Sequence, residues 1–120
     1  MRRLLSVVVS VYNEEEALAQ FYQVTEGILN TISWDYELVF VDDGSRDQSL
    51  SILNRLADSN PKIKVVSFSR NFGHEAAMIA GIDYSQGDGI ICMDADLQHP
   101  PACIPEIIRR FEDGYEVINM

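Results

Sequence analysis

The sequence predicts a Rossmann-like α/β fold, a mostly parallel sheet with helices on both faces, and three observations lead there. Short apolar runs alternate with longer segments of helical periodicity along the whole chain. The first run, Leu4 to Val11, is nearly continuous and valine-rich, as in a parallel strand buried on both faces. Most runs end abruptly in polar or acidic residues, where a strand turns into a helix. Parallel strands need crossover connections, and the intervening helices supply them.

Leu4 to Val11 is the first strand and stops at Tyr12-Asn13. Asn13, with Glu16 three residues on, reads as the N-cap of a helix whose apolar stripe is Leu18, Phe21, Tyr22, Thr25, Ile28, Leu29 and Ile32. Tyr36 to Val41 is the second strand, closed by Asp42-Asp43-Gly44. Ser45 and Gln48 form a capping-box pattern ahead of Leu50, Leu53, Leu56 and Ala57. Asn60-Pro61 breaks that helix, and Ile63 to Phe68 is the third strand. Gly73 to Tyr84 reads as a helix with Ala76, Ala77, Ala80 and Gly81 on its closest-packing side. Gly87-Asp88-Gly89 then turns into a fourth strand, Ile90 to Met93. After a loop from Asp94 to Pro101, a fourth helix carries Ile104, Ile107, Ile108 and Phe111, with Gly114 as its C-terminal cap, and a fifth strand begins in Tyr115 to Asn119. Trp34, Tyr36 and Cys92 are assigned to packing.

The 120 residues, 47% of them hydrophobic, fit one domain. Nine basic against nineteen acidic residues give a net charge of -10, which repels nucleic acid and anionic lipid surfaces, so nucleic acid is excluded as a partner. A phosphorylated ligand requires a cation or a local cluster of donors to overcome that field. Two cysteines without metal-ligand spacing fit a reduced, cytoplasmic setting. Met1-Arg2-Arg3 before an apolar run superficially resembles a signal peptide. The run instead continues into Asn13-Glu14-Glu15-Glu16 without a small-residue cleavage site. No apolar run approaches the roughly 20 residues of a membrane span.

Sheets of this kind bind ligands at the carboxyl ends of their strands. Reading off those ends gives Tyr12-Asn13-Glu14, then Asp42-Asp43-Gly44-Ser45, Arg70-Asn71, and Asp94-Ala95-Asp96-Leu97-Gln98-His99. Singly, each has an ordinary reading as a helix cap, turn former or loop acid. Together, Asp42, Asp43, Asp94 and Asp96 place four carboxylates near one crevice, and their repulsion calls for a cation. Asp94 and Asp96, followed by Gln98, offer hard oxygen ligands for Mg2+ or Mn2+, with positions left for water and phosphate oxygens. For His74 and His99, capping and packing are the commoner roles than metal ligation.

Val7 to Glu15, Asp42-Asp43-Gly44-Ser45 with Asp47, Arg70-Asn71-Phe72-Gly73 and Asp94 to Pro101 together resemble glycosyltransferase family 2, and within it the polyprenyl-phosphate sugar transferases. The resemblance covers nearly the whole chain. It implies a GT-A fold in which Val11, Tyr12, Glu14 and Asp42, with Asp43, hold the base and ribose of a UDP- or GDP-sugar. It also implies that Arg70 and Asn71 shape the donor pocket, that Asp94 and Asp96 bind the metal or the donor bridging it, and that Gln98 completes the metal environment. Ser10 departs from the family, which often has proline there. The implied reaction is inverting transfer of a hexose to an acceptor such as a polyprenyl phosphate at the cytoplasmic face of the cell envelope. Residues 1–120 are then expected to be the donor-binding part of a truncated domain, lacking the acceptor-side half and any membrane-associated segments. No oligomeric state is implied. The rival readings are a non-catalytic nucleotide-binding fragment, a receiver domain, and an aspartate-dependent phosphohydrolase. The last two expect their acidic motif after the first strand, where this chain has tyrosine and asparagine.

Overall fold

A computed structural model describes residues 3–95, 101–112 and 117–119. In chain order the elements are β1 (Leu4–Val11), α1 (Leu18–Leu29), β2 (Asp35–Asp42), α2 (Ser49–Ser59), β3 (Ile63–Ser67), α3 (His74–Tyr84), β4 (Gly89–Asp94), a single 3-10 turn (Pro101–Cys103), α4 (Ile104–Glu112) and β5 (Val117–Asn119). The strands form one sheet of order β3-β2-β1-β4-β5, and every pairing is parallel. The expected α/β class and parallel sheet are both present. β1 lies at the centre, which explains why its sequence is apolar on both faces.

The period of two along β1 sorts its side chains into two cores. Leu5, Val7, Val9 and Val11 pack on one face with Phe21 and Leu29 of α1, Leu53 of α2, and Ile104, Ile107, Ile108 and Phe111 of α4. Trp34 stacks against Phe111 in this layer, with ring centroids 5.8 Å apart. Val8 joins Val39, Val41 and Cys92 on the other face, beneath Ala77 and Met78 of α3. Gly81 lets α3 come this close, because a Cβ there would collide with the Val8 side chain. The expected small-residue face of α3 is met in part: Ala77 and Gly81 are buried, while Ala76 and Ala80 are only half-buried.

At the amino edge of the sheet, Glu37 is 3% exposed. Its carboxylate accepts from the Ser6 hydroxyl (2.5 Å), the Gln86 amide (2.8 Å) and Lys64 Nζ (2.9 Å). Burial pushes the Glu37 carboxyl up, but the hydrogen bonds from Gln86, Ser6 and Lys64 and the Lys64 charge together hold it below its ordinary value.

Two helix starts differ from the expectation. α1 begins at Leu18 with Ala17 as N-cap, and α2 at Ser49 with Gln48 as N-cap, neither with a side-chain cap bond. Asn13 and Ser45 are committed elsewhere: the Asn13 amide donates to Ser45 Oγ (2.9 Å), and Asn13 Oδ1 accepts from the Arg46 amide (2.8 Å). The residues that read as local caps instead join two loops more than thirty positions apart. Gly114, Tyr115 and Glu116 lie outside the described residues, so the expected C-cap and the start of the last strand are not described.

Candidate functional site

The register of the sheet sets the geometry of the carboxyl edge. Val11 at the end of β1 pairs with Asp42 of β2, and Ser10 pairs with Asp94 of β4. Asp42 and Asp94 therefore flank the end of the central strand on opposite sides, two strand spacings or roughly 10 Å apart. Val11 contributes a fully buried side chain to the core, and its carbonyl accepts from the Asp43 amide at 2.9 Å. Tyr12, by contrast, is 42% exposed at the mouth of this edge, and Glu14 is half-buried beside it.

The loops after β1 and β2 are tied together by side chain to backbone bonds. The Glu14 amide donates to Ser49 Oγ (2.9 Å) and the Glu15 amide to Asp47 Oδ2 (3.1 Å), while Asp47 Oδ1 accepts from the Ser49 amide (2.9 Å). Burial raises the Asp47 carboxyl, and the combined bonds from Ser49 and Glu15 outweigh that and lower it. Gly44, with φ of 70°, lies directly on the next loop: a Cβ there would sit 2.7 Å from Arg70 Cα and closer still to its carbonyl carbon. The loops after β2 and β3 are thus in backbone contact.

Asp43, 3% exposed, secures that contact. Its Oδ1 accepts from the Phe72 amide (2.8 Å), and its Oδ2 from the Gly73 amide (3.1 Å) and Asn71 Nδ2 (3.0 Å). The resemblance implies that Asp43 helps hold the nucleotide and that Asn71 shapes the donor pocket; in the structure the two side chains bond to each other. Arg70 lies over the Phe72 ring at 4.5 Å, and both are exposed. Asp42 is 1% exposed. Its Oδ2 accepts from the Ser45 amide at 3.2 Å, whereas its buried Oδ1 has no hydrogen-bond partner among the described residues.

Gly73, at φ 105°, turns the chain so that His74 opens α3. His74 reaches across the end of β1, and its Nε2 meets Asp94 Oδ1 at 2.7 Å. A carboxylate oxygen only accepts, so Nε2 carries the hydrogen. Capping or packing does not describe this histidine, whose side chain is 57% exposed. Sequence pattern gave it little weight because its partner is twenty residues away; the available signal was its place at the same strand-end edge.

Asp94 fits as a hard oxygen donor, at 36% exposure on the last position of β4. The described residues include no group of three His, Cys, Asp or Glu arranged for a metal. Asp96, Gln98 and His99 lie outside the described residues, so the expected ligand set is represented there by Asp94 alone. Cys92 is buried, which raises its thiol pKa, and Cys103 is exposed; neither forms a disulfide. No helix among the described residues is long and apolar enough to cross a membrane.

The fold is that of a GT-A glycosyltransferase domain. A mannosyltransferase from Pyrobaculum calidifontis, solved in complex with GDP-Man and Mn2+, superposes with a TM-score of 0.80 at 21% identity, covering 95% of this chain and 34% of that one. S. aureus TarS in complex with UDP-GlcNAc gives 0.67 at 25% identity, over 80% of this chain and 27% of that one. The chain belongs to glycosyl transferase family 2, whose pattern matches residues 6–120. It is 44% identical over 114 residues to an Escherichia coli protein named as a prophage bactoprenol glucosyl transferase homolog, covering 95% of this chain and 37% of that protein. It is also 47% identical over 113 residues to a Bacillus subtilis protein named as the uncharacterized glycosyltransferase YkcC, covering 94% of this chain and 35% of that protein. The chain thus spans little more than a third of the length of these relatives.

Proposed function

We propose that this chain is the donor-binding part of an inverting glycosyltransferase that takes a hexose from a UDP- or GDP-sugar and delivers it to a polyprenyl phosphate. The observation that carries the reading is the placement of Asp42 and Asp94 on the two strands flanking β1. That separation is comparable to the reach of a nucleoside from its base to its first phosphate. Asp42 lies on the base side, where its buried Oδ1, without a hydrogen-bond partner among the described residues, is the acceptor that an N–H of uracil or guanine would satisfy. Tyr12 and Glu14 line the same side, and Asp43, holding Asn71 and the loop beyond Arg70, fixes the wall opposite. Asp94, with Asp96 and Gln98, is the set that would hold Mg2+ or Mn2+, and the cation supplies Lewis-acid stabilisation of the departing nucleoside diphosphate. The neighbour solved with GDP-Man and Mn2+ supports the fold for such a site, and the relatives named bactoprenol glucosyl transferase support the lipid-phosphate acceptor. A phosphate acceptor oxygen is already anionic at neutral pH, so attack on the anomeric carbon needs no general base from this chain.

Isothermal titration with UDP and with GDP, with and without Mn2+, tests the donor half. At least one nucleotide binds in Mn2+, and Asp42→Asn and Asp94→Ala each weaken it more than tenfold. Tight metal-independent binding that ignores Asp96→Ala overturns the metal assignment, and no binding of either nucleotide overturns the reading. Transfer of radiolabelled sugar to polyprenyl phosphate, run on this chain and on a longer chain that includes it, tests the acceptor half.

A further inference from the structure

We infer that His74 is a positioning residue of the donor site, acting through Asp94 rather than on the sugar itself; the inference rests on the donor-site reading above. Three features of the chain support it. The His74 Nε2 to Asp94 Oδ1 bond, at 2.7 Å, joins the first residue of α3 to the last residue of β4, so it spans the end of the central strand. The backbone that delivers His74 is held from the neighbouring strand, because the Asp43 carboxylate accepts from the amides of Phe72 and Gly73 immediately before it. With its side chain 57% exposed, His74 contributes little to the core, and an exposed pair of this kind contributes little to stability.

A bond that adds little to stability but fixes the rotamer of a carboxylate at the ligand edge has its consequence in binding. An Asp side chain free to rotate must be ordered when a cation or a diphosphate arrives, whereas one already held by a neighbouring N–H meets the ligand in place. Partners of this kind around metal-binding carboxylates typically change metal affinity by about 10–100-fold when removed. The tie to Asp43 extends the effect: the loop that packs against Gly44 also sets where the imidazole stands.

The test compares wild type, His74→Ala and His74→Gln in calorimetric titrations of UDP and GDP at a series of Mn2+ concentrations, with thermal melting in parallel. Glutamine retains an N–H donor of similar reach. The expected result is that His74→Ala raises the Mn2+ concentration for half-maximal nucleotide binding by about 10–100-fold. Its melting temperature stays near wild type, and His74→Gln recovers most of the Mn2+ response. An unchanged Mn2+ requirement in His74→Ala, or equal impairment of the glutamine variant, overturns the inference while leaving the donor site intact. A loss of Mn2+ response accompanied by an equal loss of thermal stability also overturns it, by making the role structural. Failure of the wild type to bind either nucleotide removes the donor-site reading and this inference with it.

Discussion

Replacing Asp43 with alanine removes three hydrogen bonds at once: those from the Phe72 amide at 2.8 Å, the Gly73 amide at 3.1 Å and Asn71 Nδ2 at 3.0 Å. Bonds to an ionised acceptor contribute about 1.5–3 kcal/mol each when both partners are buried. Here the acceptor is 3% exposed, but Asn71 and Phe72 lie at the surface, so the released donors find water and the upper end does not apply. The expected loss is therefore about 2–4 kcal/mol for the set. For a domain of this size that lowers the melting temperature by about 10 °C. Urea unfolding followed by circular dichroism measures it, with Asp43→Asn as companion. Asparagine keeps one acceptor oxygen but turns an NH2 toward a donor, and is expected to lose about half as much. A loss below about 1 kcal/mol for Asp43→Ala would refute the reasoning, because the β3–α3 loop would then hold its place without the carboxylate.

Two further outcomes follow from the same geometry. Gly44→Ala introduces a Cβ into the backbone of Arg70 at a φ of 70°, and the combined overlap and strain are expected to exceed about 3 kcal/mol in the same unfolding assay. Glu37 is held below its ordinary value of 4.5, so its contribution to stability is complete above that pH and is lost as pH falls through the lower folded-state value. Unfolding free energies measured from pH 7 to pH 3 are expected to show the advantage of wild type over Glu37→Gln shrinking only below about pH 4.5.

The parts of the fold that follow from residue type and short-range period were legible in the sequence. β1 matches its expected span because a central strand buried on both faces leaves a continuous apolar run. The residues read as the α4 stripe, Ile104, Ile107, Ile108 and Phe111, are all buried. What escaped are the bonds between distant loops. Asn13 and Ser45 carry the signature of helix caps, yet each bonds across to the other loop, and no window of local sequence contains both partners. The same limit governs the site. The acidic residues could be placed at one edge by counting strands, but not sorted by use. Asp43 is spent on the Asn71–Gly73 backbone and side chain, Asp42 keeps an oxygen without a partner among the described residues, and Asp94 takes His74. That sorting depends on the register Val11 to Asp42 and Ser10 to Asp94, which only the assembled sheet defines.

Amide NMR spectra recorded while Mn2+ is added in the presence of UDP or GDP locate the ligand most directly, because the paramagnetic ion broadens the signals nearest to it. Broadening is expected to begin at Asp94 and Ala95, spread to Val11–Glu14 and His74, and leave Ser6, Glu37 and Gln86 at the opposite edge of the sheet sharp. Broadening centred on that opposite edge, or spread evenly over the acidic surface, would contradict the placement of the donor at the carboxyl ends of β1, β2 and β4.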